Sequence, residues 1–134
     1  MADVKRVELR GNGWMNDRGW GANPLEAAGL SREHLGNLHV VSIKPGTIRG
    51  NHYHTSATEW ILLCGGPAKI AWRSGDENSI HETNISGTEP ALFEIPQNVE
   101  HAVLNNSKGD IYLVSFSNSY KRGTVRCPPL LESI

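Results

Sequence analysis

The sequence lacks a charge excess of either sign. Its 134 residues hold 13 Lys and Arg against 14 Asp and Glu, a formal net charge of -1. With no basic block, general electrostatic binding to nucleic acid or to an anionic membrane is not expected. Cysteine is scarce. Cys64 and Cys127 lie far apart and form no C-x-x-C pair, which excludes a zinc ribbon or a thioredoxin-type motif. Cys64 ends the apolar run Trp60-Ile61-Leu62-Leu63 and is expected to be a buried strand thiol. No apolar stretch approaches the length of a membrane span. Met1-Ala2-Asp3-Val4-Lys5-Arg6 leads into no hydrophobic segment of signal-peptide type. The expectation is a soluble, cytoplasmic protein with reduced thiols. Helical signals are also few: Leu25-Glu26-Ala27-Ala28-Gly29-Leu30 is the one plausible helical turn, and Gly29 keeps it short. Repeats, low-complexity tracts and linkers are absent, and the length suits a single domain over residues 1–134.

What is present is turn chemistry. Glycine numbers 14 and proline 7, a load that β-sandwiches and barrels place at their turns. From residue 37 onward, short β-prone runs alternate with turn signals: 38–43, 48–54, 59–64, 69–73, 79–84, 91–95, 101–105 and 111–117. About eight strands at this spacing predict a closed all-β architecture. Its core is expected over about 37–118, preceded by a short irregular segment (1–36) with a possible edge strand at Val4, Val7 and Leu9. A tail (119–134) follows, which should wrap the barrel or contact a second subunit.

The chemistry-bearing stretch runs from Gly46 to Glu59. Side chains alternate along a strand, so His52 and His54 face the same way. Two imidazoles at that spacing can converge on one ion. A polar turn, Thr55-Ser56-Ala57-Thr58, brings Glu59 back as an oxygen ligand, and His101 opens a later strand that can supply a third imidazole across a barrel lumen. Three neutral nitrogens and one carboxylate leave coordination positions open, as a catalytic site does and a structural zinc site does not. Zinc, iron, manganese and nickel all suit one such divalent site per chain.

These residues carry a resemblance to the cupin superfamily, whose fold is a double-stranded β-helix, the jelly-roll barrel. Gly46, His52, His54, Glu59 and Gly66 stand at the spacings of its first motif, and Pro96, His101 and Asn105 at those of its second. Pro90 and Asn98 replace two motif glycines, and neither is a ligand position. More narrowly, Arg49-Gly50-Asn51-His52-Tyr53-His54 resembles the metal-binding C-terminal cupin domain of capsule-sugar enzymes and, in its R-G-x-H, the deoxysugar-nucleotide 3,5-epimerases. The first resemblance implies His52, His54, Glu59 and His101 as metal ligands. The second implies Arg49 as a substrate contact and His52 as a base, a role that metal coordination of His52 would preclude.

The resemblance implies a metal-dependent epimerase or isomerase acting on a sugar nucleotide or related carbohydrate. A dioxygenase or decarboxylase of a small organic acid, and a cupin that binds a small ligand without turnover, stay open. Proton removal next to a ketone needs a base, for which His39, Tyr112 and Tyr53 are candidates. His39 also fits a structural histidine, and Tyr112, alternating with Val114 and Phe116, fits core or interface packing. Trp60 neighbours Glu59 and should face out of the lumen. An outward tryptophan suggests a subunit interface, hence a homodimer.

Overall fold

Turn residues cut the chain into short antiparallel strands. The computed structural model describes residues 3–9 and 11–134; Met1 and Ala2, read above with the N-terminus, lie outside the described residues. The strands are β1 (Lys5–Val7), β2 (Gly13–Asn16), β3 (Gly19–Ala22), β4 (Asn37–Ile43), β5 (Ile48–His54), β6 (Glu59–Cys64), β7 (Ala68–Ser74), β8 (His81–Ile85), β9 (Ala91–Ile95), β10 (Val99–Asn105), β11 (Ile111–Ser117) and β12 (Thr124–Arg126). One short helix, α1 (Pro24–Ala27), and a 3-10 turn (Arg32–His34) lie between β3 and β4. No helix among the described residues is long and apolar enough to cross a membrane.

Two five-stranded antiparallel sheets, in the orders β1-β9-β6-β11-β4 and β12-β5-β10-β7-β8, make the jelly roll. Strand alternation decides what lies between them. Ile61 and Leu63 of β6 join Ile43, Ile70, Ile95, Val103, Ile111 and Leu113 in one buried apolar cluster. Glu59 begins the same β6 row, so the apolar interior becomes polar towards the strand starts.

One irregularity re-aims a side chain. Simple alternation would place Arg49 and His52 on opposite faces. The β10–β5 register shifts between His101, paired with His52, and Ala102, paired with Gly50. Gly50 and Asn51 absorb this bulge with φ of 108° and 57°, a region in which glycine and asparagine are the tolerated residues. A Cβ on Gly50 would come within 2.7 Å of the His101 carbonyl oxygen. Arg49 pairs with Val103 and lines the same cavity as His52.

Each sheet is covered on its outer face by one chain end. Over the first sheet, Trp60, Leu62, Leu92 and Phe116 form a cluster closed by Val7, Leu9, Leu25, Leu30 and Leu35. This corrects two expectations. The N-terminal segment is not simply irregular, since residues 13–22 form the β2–β3 hairpin. Trp60 does face away from the lumen, yet it is only 6% exposed, because its own chain covers it. Its indole stacks on Phe116 and donates to Glu94 Oε1, so its burial requires no second subunit. Cys64, expected to be buried, is half-buried on this same outer face.

Over the second sheet lies the tail. Leu130 and Leu131 pack on Ala71, Ala102 and Leu104, and β12 pairs with β5, Thr124 opposite His54 and Arg126 opposite His52. Asn51 anchors the tail twice: its carbonyl accepts from Cys127 N at 3.0 Å and its Oδ1 from Leu130 N at 2.9 Å.

Candidate metal centre

Three strands deliver four donor side chains to one place. His52 and His54 come from β5, Glu59 from the start of β6 and His101 from β10, directly opposite His52 in register. The intervening turn is held by the tail, with Thr55 N and Ser56 N each donating at 3.0 Å to the carbonyls of Gly123 and Arg122. The ring centroids are 4.8 Å apart for His52–His54 and His52–His101 and 5.3 Å for His54–His101. One ligand atom from each of the four residues lies within 4.8 Å of the others. His54, Glu59 and His101 are buried, and His52 is half-buried.

Hydrogen bonds outside the cluster orient its members. His101 Nδ1–H donates to the Val99 carbonyl at 3.0 Å, which turns Nε2 inward. His54 Nδ1 bonds Thr124 Oγ1 of β12 at 3.0 Å, with the same effect. Both Nε2 atoms then meet Glu59 Oε1, at 3.2 Å from His54 and 3.3 Å from His101. The other carboxylate oxygen, Oε2, accepts from Ser115 Oγ at 2.6 Å and from Arg122 Nη1 at 3.3 Å.

This donor set fits a divalent cation. A carbonyl only accepts, so the Val99 contact fixes the proton on His101 Nδ1, and the lone pair of a neutral ring would face an anionic oxygen. Either further protons or a cation must lie between them. Donor atoms each 2.0–2.1 Å from a common ion sit about 2.9–3.4 Å apart at bond angles of about 90–109°, and the two Nε2–Oε1 separations fall in that range. Without a cation, burial opposes ionisation of Glu59, but the hydrogen bonds and charge that His101 and His54 can offer outweigh it and hold the carboxyl well below its ordinary range. Burial, then the neighbouring His101 and His54, lower His52 to about 4, so its ring is neutral and available as a ligand near neutrality.

Above these donors is a cavity of about 190 Å³ lined by His39, Arg49, Ser115 and Arg122 beside His52, Glu59 and His101. Of the side chains named from sequence, His39 and Arg49 line it. Arg49 Nε also donates to the Ser42 carbonyl at 3.1 Å. The two tyrosine candidates do not line it. Tyr53 alternates away from His52 and His54 and pairs with Val125. Tyr112 is 48% exposed on the outer face of β11, so of the two roles its alternation suggested, core or interface packing, the first does not apply. Sequence reasoning missed Arg122, Thr124 and Ser115. Ser115 had a signal, since the inward row of β11 runs Ile111, Leu113, Ser115, Ser117 and turns from apolar to polar. Arg122 and Thr124 lie in a tail without periodicity.

With this geometry in place, comparison with known proteins is informative. Residues 26–123 match the family model described as the polysaccharide biosynthesis C-terminal domain. Among curated proteins, the chain is 26% identical over 83 residues to a UDP-2-acetamido-2,6-beta-L-arabino-hexul-4-ose reductase of Pseudomonas aeruginosa, an alignment covering 62% of this chain and 22% of the reductase. The capsular polysaccharide assembling protein CapF of Staphylococcus aureus is 26% identical with a TM-score of 0.64, covering 70% of this chain and 29% of CapF. The chain thus spans less than a third of the length of these relatives. Two smaller proteins match nearly end to end. The QdtA 3,4-ketoisomerase of Thermoanaerobacterium thermosaccharolyticum, solved with TDP, is 17% identical with a TM-score of 0.69, covering 94% of this chain and 88% of QdtA. A dTDP sugar isomerase of Desulfovibrio desulfuricans is 15% identical with a TM-score of 0.76, covering 93% of this chain and 83% of the isomerase. At such identities these two likenesses establish the fold, which is the all-β cupin barrel.

Proposed function

Because the chain belongs to the polysaccharide biosynthesis C-terminal domain family, we propose that residues 1–134 act as one cupin domain that binds a divalent cation through His52, His54, Glu59 and His101 and works on a sugar nucleotide or related carbohydrate as an epimerase or isomerase. The observation that carries this reading is the position of Glu59. Its Oε1 meets two inward imidazoles while Ser115 and Arg122 hold its Oε2, at the base of a cavity rimmed by two guanidinium groups.

A divalent ion there supplies Lewis-acid polarisation of a substrate carbonyl. The chain's own residues supply the rest. Arg49 and Arg122 present planar, permanently charged forks suited to phosphate or sugar oxygens. Ser115 and Arg122 keep the Glu59 carboxylate from rotating. Val103, Leu113 and Ile61 line the remaining wall with apolar surface, which lowers the local dielectric and strengthens each polar contact. The relatives' names support a carbohydrate substrate: a hexulose reductase, a capsular polysaccharide protein and sugar isomerases.

A homodimer is part of the proposal on other grounds than Trp60. Leu38, Val40 and Tyr112, exposed by 59, 64 and 48%, form an apolar strip beside β4, the edge strand of the first sheet. Sedimentation at micromolar concentration gives the mass directly, and a monomer there removes the dimer.

Two measurements test the main reading. Elemental analysis of the purified chain should find one divalent metal per chain, with His101→Ala losing it while the circular dichroism of the barrel is kept. Incubation in deuterium oxide with UDP- and TDP-linked 4-keto-6-deoxyhexoses should place deuterium on a carbon next to the carbonyl. A His101→Ala protein that keeps its full metal content would end the ligand assignment, and no exchange with any of these sugars would end the enzymatic one.

A further inference from the structure

Three residues of the cavity wall, His52, Glu59 and His101, are assigned as ligands; the rest offer one base outside the ligand set. Arg49 and Arg122 are permanently charged, and Ser115 is committed to Glu59. That leaves His39, on the inward row of β4 with Asn37, Val41 and Ile43.

Two contacts fix its tautomer. Nδ1 lies 2.8 Å from Asn37 Oδ1, and Nε2 lies 3.5 Å from Arg122 Nη1. An amide oxygen only accepts, so Nδ1 carries the hydrogen. A guanidinium only donates, so Nε2 presents its lone pair. The second contact, at 3.5 Å the weaker of the two, favours the same tautomer however the Asn37 amide is oriented.

We propose that His39 Nε2 is the proton acceptor of the cavity and that Asn37 is its positioning residue. The proposal rests on the functional reading above and adds the identity of its base. Nε2 takes a hydrogen, as a proton, from the carbon adjacent to the substrate carbonyl. The C–H electron pair becomes the second bond to the carbonyl carbon, and the carbonyl π pair moves to oxygen. Delivery of a proton to the opposite face of the same carbon gives the epimer; delivery to the former carbonyl carbon, with the neighbouring hydroxyl losing its proton and becoming the new carbonyl, gives the isomer, and neither outcome needs an oxidant or reductant. Burial, and next the charge of Arg122, lower the pKa of His39, which keeps the ring neutral at neutral pH. His39 is also separate from the ligand set, so metal binding does not consume its lone pair.

The test uses the metal-loaded full chain with histidine nitrogen NMR and the deuterium-exchange assay together. The spectrum should show His39 protonated at Nδ1 and unprotonated at Nε2. His39→Gln should slow exchange by about 10²–10⁴-fold, the usual range for a general base, with bound metal per chain unchanged. Asn37→Ala should slow exchange less and shift the His39 tautomer towards Nε2–H, a spectroscopic change that a merely structural role would not produce. Parental exchange in His39→Gln, or an Nε2–H signal in the parent, overturns the assignment and leaves the functional reading standing. If the parent exchanges hydrogen with none of the keto sugars, the functional reading fails and the base assignment falls with it.

Discussion

The two chain ends do similar packing on opposite faces of the barrel but have different relations to the site. The N-terminal segment closes the cluster around Trp60, Leu62, Leu92 and Phe116 and, among the described residues, sends no side chain into the cavity of the candidate centre. The tail closes the cluster around Ala71, Ala102 and Leu104, and it also places Arg122 against Glu59 and Thr124 against His54. One cover contributes stability alone. The other ties stability to ligand geometry, because the strand that packs it down, β12, pairs with the strand that carries His52 and His54.

Substitutions that separate the two covers test this difference. The largest effect is expected on the N-terminal side. Trp60→Ala removes a buried indole and its stack on Phe116 and should cost about 3–5 kcal/mol in denaturant unfolding, with metal per chain unchanged by elemental analysis. A loss of metal would show that the N-terminal cover also reaches the site. Leu130→Ala, in the tail, should cost less, near the low end of about 2–5 kcal/mol. Unlike Trp60→Ala it should also weaken metal binding, measured by competition with a chromophoric chelator. Thr124→Val keeps side-chain size while removing the hydroxyl at His54 Nδ1. It should lower metal affinity by about 10–100-fold with little change in unfolding, and unaltered affinity would reduce the tail to packing.

A separate effect is expected in acid, on metal-free protein. His52 is lowered in the fold to about 4 from its ordinary 6.5, so between those values the unfolded chain binds a proton that the folded chain does not. Stability therefore falls as pH drops through that window. Glu59, held below its ordinary range, acts in the same direction: its contribution is present above the unfolded carboxylate pKa and is lost as pH falls further. Melting midpoints of the metal-free chain should decline from pH 6.5 towards 4, and Trp60→Ala should show a similar decline from a lower starting point. A flat profile would contradict the electrostatics of the centre.

The sequence disclosed most where periodicity operates. The limits of β5, β6, β9 and β11 are those that alternation and turn residues predict, and the H-x-H, Glu59 and His101 pattern named the side chains that the barrel brings together. It disclosed least where a residue's position depends on contacts distant in the chain. Glycine-rich 13–22 has too little side-chain alternation to announce a hairpin, and Arg122 stands in a segment with no period at all. Arg49 shows a third case. Counting by twos directs it away from His52, and only the bulge at Gly50 and Asn51, visible in the β10 register, turns it into the cavity. The step from Trp60 to a partner subunit loses its ground for a related reason: alternation tells which way a side chain faces, but not what covers it.

Asn51 links the two subjects of this comparison. Its backbone and side chain each hold one tail amide, Cys127 N and Leu130 N, while its peptide neighbour is His52. Those two amides are therefore natural reporters of the centre. When ligation stiffens the residue beside them, their exchange with solvent deuterium should slow, so occupancy of the barrel's interior could be followed from a segment lying on its exterior.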